Sequence, residues 1–184
     1  MRIRNILIVV FIIVSVVQLA VPANMIYKYQ QILAHGKLFK FKIAPVDPSD
    51  PFRGKFVRLR MDEDRIKVDT LNHWQRNEIV YLKIEIKSDG FVRVLDLSRD
   101  KPASGGDFIK ARVDYETDNS VVIEYPFNKY YLEESKAPEA ERVYFKASGD
   151  SSKTSFVTVN VIDGDAVLND LIISGKSIKD IYIK

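Results

Sequence analysis

Residues 106–125 read GDFIKARVDYETDNSVVIEY, and their alternation decides the fold. Side chains of an extended chain point to opposite faces at every second position. That rule places Ile109, Ala111 and Val113 on one face, with Phe108, Lys110 and Arg112 on the other. The run ends at Asp118-Asn119, a turn pair, and Val121–Tyr125 follows as a second strand-forming run. Two such runs joined by a short polar turn predict a β-hairpin.

The same grammar recurs. Asp89-Gly90 separates Ile79–Lys87 from Phe91–Leu97, and Asp163-Gly164 separates Thr154–Ile162 from Ala166–Ile173. Further upstream, Lys37–Ile43 alternates, with Phe39, Phe41 and Ile43 on one face and Lys40 and Lys42 on the other. Residues 44–54 hold three prolines and predict a rigid extended loop. Leu71–Asn77 reads as a helical turn, and Leu132–Arg142, interrupted by Pro138, as a loop or short helix. The fold class expected is mainly β: an antiparallel domain of about ten short strands.

Residues 54–62, GKFVRLRMD, echo GDFIKARVD at 106–114 with identical glycine, phenylalanine, arginine and aspartate. Val57, Leu59 and Met61 would then face inward, and Phe56, Arg58 and Arg60 outward. A second echo follows in each half, Val80-Tyr-Leu-Lys83 and Val143-Tyr-Phe-Lys146. An internal duplication of a small β unit explains the repeated order; convergence of two ordinary strands is the alternative. Ser98–Gly106 reads as the connection between the halves. The organisation expected is an anchor at 1–36, a first β unit at 37–98 and a second at 99–184.

The N-terminal stretch is different in kind. Arg2 and Arg4 precede Ile6–Ile26, whose polar members are Ser15, Gln18 and Asn24. As a helix, that run spans roughly 31 Å at ~1.5 Å per residue, about the thickness of a hydrocarbon core. A cleaved signal peptide would use Ile6–Val17 as its apolar region, with Val21 and Ala23 as the small residues before the cut. A retained anchor is the preferred reading, because Ile26, Tyr29 and Leu33 continue a helical pattern beyond that point, as far as His35-Gly36. The leading arginines would hold the N-terminus in the cytoplasm. The expected location is the cytoplasmic membrane, crossed once, with everything after Tyr27 extracytoplasmic.

Composition narrows the chemistry. The 184 residues carry 28 basic and 25 acidic side chains, a net +3, too balanced to argue for nucleic acid. There is no cysteine, which excludes disulfides and thiolate chemistry. Asp47, Asp50, Asp62, Glu63, Asp64 and Asp69 cluster along the chain, but in no calcium-loop spacing, and turn formation explains them better. His35 and His73 are the two histidines, too few for a usual zinc site; His35 fits a helix end, and His73 adjoins Trp74, the sole tryptophan. No phosphate loop, nucleophile elbow or HExxH is present. The reading is a non-enzyme with no cofactor and no metal.

What remains is surface. The outward basic residues Arg53, Arg58, Arg60, Lys110 and Arg112, with Tyr130 and Tyr131 as aromatic anchors, form the candidate interaction surface. A solvated outer face is the bland account of such charges. For the run Tyr125-Pro-Phe-Asn-Lys-Tyr-Tyr-Leu132 the corresponding account is rings that cover the core.

Asp-Pro-Ser-Asp-Pro-Phe-Arg-Gly at 47–54, followed by Lys-Phe-Val-Arg-Leu-Arg-Met, resembles the signature of the GDYXXLXY protein family. Gly54 and Leu59 match it, while Lys55, Phe56 and Met61 stand where the family has aspartate and two tyrosines. Gly106-Asp107-Phe108 restores the glycine-aspartate pair in the second copy. Tyr125–Tyr131 and Lys136–Glu141 resemble the downstream pattern, so the resemblance covers nearly the whole chain. It implies a bacterial, membrane-anchored protein without an established activity, and a multi-spanning membrane protein as partner. It supplies no catalytic residues.

The function expected is therefore a membrane-anchored, extracytoplasmic β-rich interaction module. An envelope hydrolase using paired carboxylates is one alternative, requiring two acids in a cleft with one pKa raised. A ligand-binding β-barrel is another, requiring an enclosed apolar cavity.

Overall fold

The computed structural model describes residues 3–43, 56–68, 73–103, 105–131 and 155–181. Helix α1 runs from Ile3 to His35 without a break at Pro22. It leads into β1 (Lys37–Lys42), then β2 (Phe56–Arg58), a 3-10 turn (Asp62–Asp64), β3 (Arg65–Lys67), β4 (Ile79–Ile86) and β5 (Val92–Ser98). After these come β6 (Asp107–Thr117), β7 (Ser120–Glu124), β8 (Lys129–Tyr131), β9 (Phe156–Ile162), β10 (Asp165–Ile173), β11 (Lys176–Ser177) and the short helix α2 (Ile178–Ile181). The protein is mainly β, as its alternation predicts.

The strands form a four-stranded sheet ordered β1-β9-β10-β11, a five-stranded sheet ordered β3-β7-β6-β4-β5, and a β2-β8 ladder; every strand pairing is antiparallel. All three hairpins read from turn pairs are present: β4-β5, β6-β7 and β9-β10. Asp163 and Gly164 both have positive φ, 51° and 85°, which a two-residue turn matched to strand twist requires. Alternation also sets the core correctly. Phe39, Phe41 and Ile43 of the first sheet meet Val80, Leu82 and Ile84 of β4 and Ile109, Ala111 and Val113 of β6 in one buried cluster. Leu59 and Met61 join it, as the echo phrase implies.

Residues 37–98 and 99–184 interleave. β6 pairs with β4 across the connection at Ser98–Gly106, and β1 pairs with β9. The two echo phrases lie in different settings. β2 is in the two-stranded ladder, whereas β6 lies in the middle of the five-stranded sheet. The second echo at 143–146, the loop at 44–54 and the segment 132–142 lie outside the described residues. Of the helical turn expected at 71–77, residues 73–77 are irregular and end in a hydrogen-bonded turn, with Glu78 N–H donating to the Gln75 carbonyl at 3.0 Å. His73 and Asn77 there have positive φ, 49° and 66°, which is incompatible with a right-handed helical turn.

β9 is covered on both faces. Val157, Val159 and Val161 point into the core, while Thr158 and Asn160 are also buried, on the opposite face. The last turns of α1 provide part of that second cover: Ile32 is buried, and the Asn160 side-chain amide donates to the carbonyls of Leu33 at 3.1 Å and Gly36 at 3.3 Å. Carbonyls at a helix C-terminus lack intrahelical partners, so Asn160 supplies the cap. Gly36 ends the helix for a reason the sequence did not reveal. Its role is close approach: a Cβ there would sit 2.4 Å from the Ile32 carbonyl oxygen and 3.0 Å from Val161 N.

Candidate functional site

A cleft of about 420 Å³ opens where the β9-β10 turn meets β6. Its floor is β6, whose outward face presents Lys110 and Arg112 on either side of buried Ala111. Ile79 of β4 and Glu124 of β7 stand directly opposite Arg112 on its two neighbouring strands. Tyr125, Pro126 and Asn128 close one wall, and Gly164 and Asp165 of the β9-β10 turn close another. The turn is fastened to the floor, since Lys110 N–H donates to the Gly164 carbonyl at 2.8 Å. Gly164 is required at this contact: a Cβ would lie 2.5 Å from the Phe108 ring.

The charges are unevenly matched. Asp165 is held by Lys28 of α1 at 2.7 Å, and Glu124 accepts from the Asn128 amide at 2.7 Å. Arg112 donates to the Asn77 carbonyl at 3.3 Å. Among the described residues, Lys110 has no ion-pair partner and Arg112 faces no carboxylate within salt-bridge distance. Two cations about 7 Å apart along a strand thus line a concave, part-apolar surface.

The residues singled out from sequence are divided by the fold. Lys110 and Arg112 come together in the cleft. Arg60 is exposed elsewhere and pairs with Asp64 at 3.0 Å. Arg58 is in the β2-β8 ladder opposite Lys129, with its side chain outside the description, and Arg53 lies outside the described residues. Tyr131 is 70% exposed, whereas Tyr130 is half-buried against the core. Tyr125 and Phe127 pack with Phe41 at ring separations of 5.1 to 5.7 Å, so these rings do cover the core. Lys28, Glu124, Asn128 and Asp165 were not anticipated. They reach the cleft through cross-strand register and helix docking, which periodicity does not report.

A second open hollow, about 430 Å³, is lined by His73, Gln75, Arg76, Asn77, Glu78 and Arg99. Arg99 stacks over Trp74 at 4.1 Å and bonds to Glu78. That bond, then the Gln75 N–H, holds the Glu78 carboxyl below its ordinary range. The acidic cluster is likewise engaged by cations: Glu63 pairs with Lys87 and Asp64 with Arg60. Among the described residues, no three His, Asp or Glu side chains are placed to hold a metal.

The chain belongs to the GDYXXLXY protein family, whose model matches residues 18–171 of the 184. No curated protein and no solved structure matches it.

Proposed function

We propose that this protein is an interaction module held on the outer side of the cytoplasmic membrane by α1, where it meets a multi-spanning membrane protein. One observation carries the reading. Every large apolar side chain from Ile6 to Ile26 is exposed, while the last turns of the same unbroken helix are built into β9. An apolar face of that extent needs lipid or a partner to cover it. The continuity through Ala23 supports a retained anchor over a cleaved signal. Arg2 and Arg4 ahead of the span support a cytoplasmic N-terminus. Lys28, Lys37, Lys40 and Lys42 follow it; three of them are ion-paired to Asp165, Asp107 and Asp89.

The contact surface on this reading comprises exposed Tyr131 and Arg60. Photocrosslinking from position 131 in intact cells tests it. The expected product is one discrete adduct with an integral membrane protein, lost on Arg60→Glu. An unchanged adduct pattern with an intact fold would show the surface to be solvated only. Protease treatment of spheroplasts decides the side: digestion of the β domain is expected, and full protection overturns the placement.

A carboxylate hydrolase has less support. The carboxyls of Glu78 and Asp89 are both shifted below their ordinary range by hydrogen bonds, the reverse of a general acid. A barrel with an enclosed ligand cavity also has less support, since Phe39, Phe41, Met61, Leu82 and Ile109 fill the interior.

A further inference from the structure

We infer that the cleft binds a phosphate-bearing anion, and that the headgroup of an acidic membrane lipid supplies it. The inference rests on the anchor reading above, which sets the height of the cleft. Lys28 lies two residues, about 3 Å, beyond the end of the apolar run. Exposed Tyr27 and Tyr29 flank it, as aromatic residues do at a membrane interface. Asp165 is 2.7 Å from the Lys28 ammonium, and Gly164 adjoins Asp165 and bonds to Lys110. The polar layer outside each hydrocarbon face is about 5–7 Å deep. The Gly164-Asp165 wall is therefore at headgroup level, and the cleft opens beside it.

The chemistry suits one class of ligand. Asp165 is neutralised by its ion pair with Lys28, and Glu124, beside Arg112 on β7, accepts from the Asn128 amide instead of pairing with either cation. This leaves the Lys110 ammonium and the Arg112 guanidinium to meet an anion, a point charge beside a bidentate fork. Ile79 is exposed on β4, across β6 from Glu124, and offers an apolar shoulder to an acyl or glycerol segment. An anionic headgroup would find here a preformed site on a body joined directly to its helix by the Asn160 bonds.

The test uses the full chain in nanodiscs of phosphatidylcholine with and without phosphatidylglycerol, followed by mass spectrometry of the lipid that co-purifies in detergent. Wild type is expected to enrich phosphatidylglycerol over its bulk share. Lys110→Gln with Arg112→Gln should reduce that enrichment several-fold. The charge-keeping pair Lys110→Arg with Arg112→Lys should restore most of it, and removal of the exposed Lys67 and Lys176 ammonium groups should not change it. Equal lipid composition for wild type and the double glutamine variant overturns the inference; if the chain still resists alkaline extraction, the anchor reading stands. No enrichment, together with phosphorus resonance broadening of inorganic phosphate by wild type alone, assigns the cleft to a soluble anion and overturns the lipid source.

Discussion

Asn160 of β9 donates its side-chain amide to the Leu33 carbonyl, 127 residues away in sequence, and so ties the end of α1 to the centre of a sheet. The bond is partly buried and is seconded by one to Gly36. Neighbouring Thr158 donates to the Asp170 carbonyl at 3.4 Å on the adjacent strand. The face of β9 beneath the helix is thus polar by design of its partners, although its sequence, Phe-Val-Thr-Val-Asn-Val-Ile, reads as one more alternating strand.

Replacing Asn160 by Leu removes both bonds and leaves two helix-terminal carbonyls without protein donors. We expect a loss of about 1–3 kcal/mol. Thermal unfolding of the detergent-solubilised chain reads the loss. Spin labels at Tyr29 and Lys176 should show a wider distance distribution. A narrow, unshifted distribution would mean that the joint does not depend on this side chain.

Two glycines should separate two causes of strain. Gly90 has φ +82° and no heavy atom within 4 Å of an added Cβ, so Gly90→Ala should cost about 1 kcal/mol for its left-handed conformation alone. At Gly36 the added Cβ meets the backbone oxygen of Ile32 at 2.4 Å, which a rotamer change cannot relieve. Gly36→Ala should cost more, toward the upper part of the ~1–3 kcal/mol range for overpacking. Equal denaturation midpoints for the two variants would contradict this.

Tyr125 offers an alkaline test. Its hydroxyl donates to the Glu63 carbonyl at 2.6 Å inside the aromatic cluster. Burial, and then the charges of Glu63 and Asp64, raises its pKa far above the ordinary tyrosine value. The unfolded chain releases this proton near pH 10, whereas the folded chain retains it. The contribution is therefore complete below pH ~10 and falls by about 1.4 kcal/mol per pH unit above it. Tyr125→Phe lacks this term, so its stability deficit relative to wild type, about 1 kcal/mol at neutral pH, should shrink as the pH is raised past 10. A deficit independent of pH would refute the shift.

Trp74 reports on the acid side. It is the single tryptophan, and Arg99 stacked on it also holds Glu78. The Glu78 pKa is lowered in the fold, so its contribution is present above the ordinary carboxylate range and disappears as pH falls through the depressed value. The pair is part-exposed, so solvent screens it and its contribution is small. Tryptophan emission should step at a pH below the ordinary glutamate value, and Glu78→Gln should abolish the step. A step that survives would assign it to another group.

How much of this was legible follows from distance along the chain. Strand faces were readable because alternation is local: Ile109, Ala111 and Val113 are buried as read, with Lys110 and Arg112 exposed. Turn pairs were readable because Asp-Gly carries its own backbone preference. The three-residue strands β3 and β8 are too short for a period-two signal, and Ser174-Gly175, both at positive φ, turns β10 into a two-residue β11 without flanking runs. Half of the candidate surface was visible as outward basic positions. Its completion by Lys28, Asp165, Glu124 and Asn128 was not, because those contacts depend on pairing across β6, β7 and β10 and on where α1 docks.

The unbroken helix that ends inside a sheet also has a rotational meaning. With no linker to absorb torsion, adding one residue to α1 between Ala23 and Asn24 would turn the β domain by about 100° around the helix axis. Four added residues would return it nearly to its first heading, raised by about 6 Å. Anything that engages both the apolar span of α1 and the β domain would therefore sense insertions by their phase on the helical wheel, more than by their length.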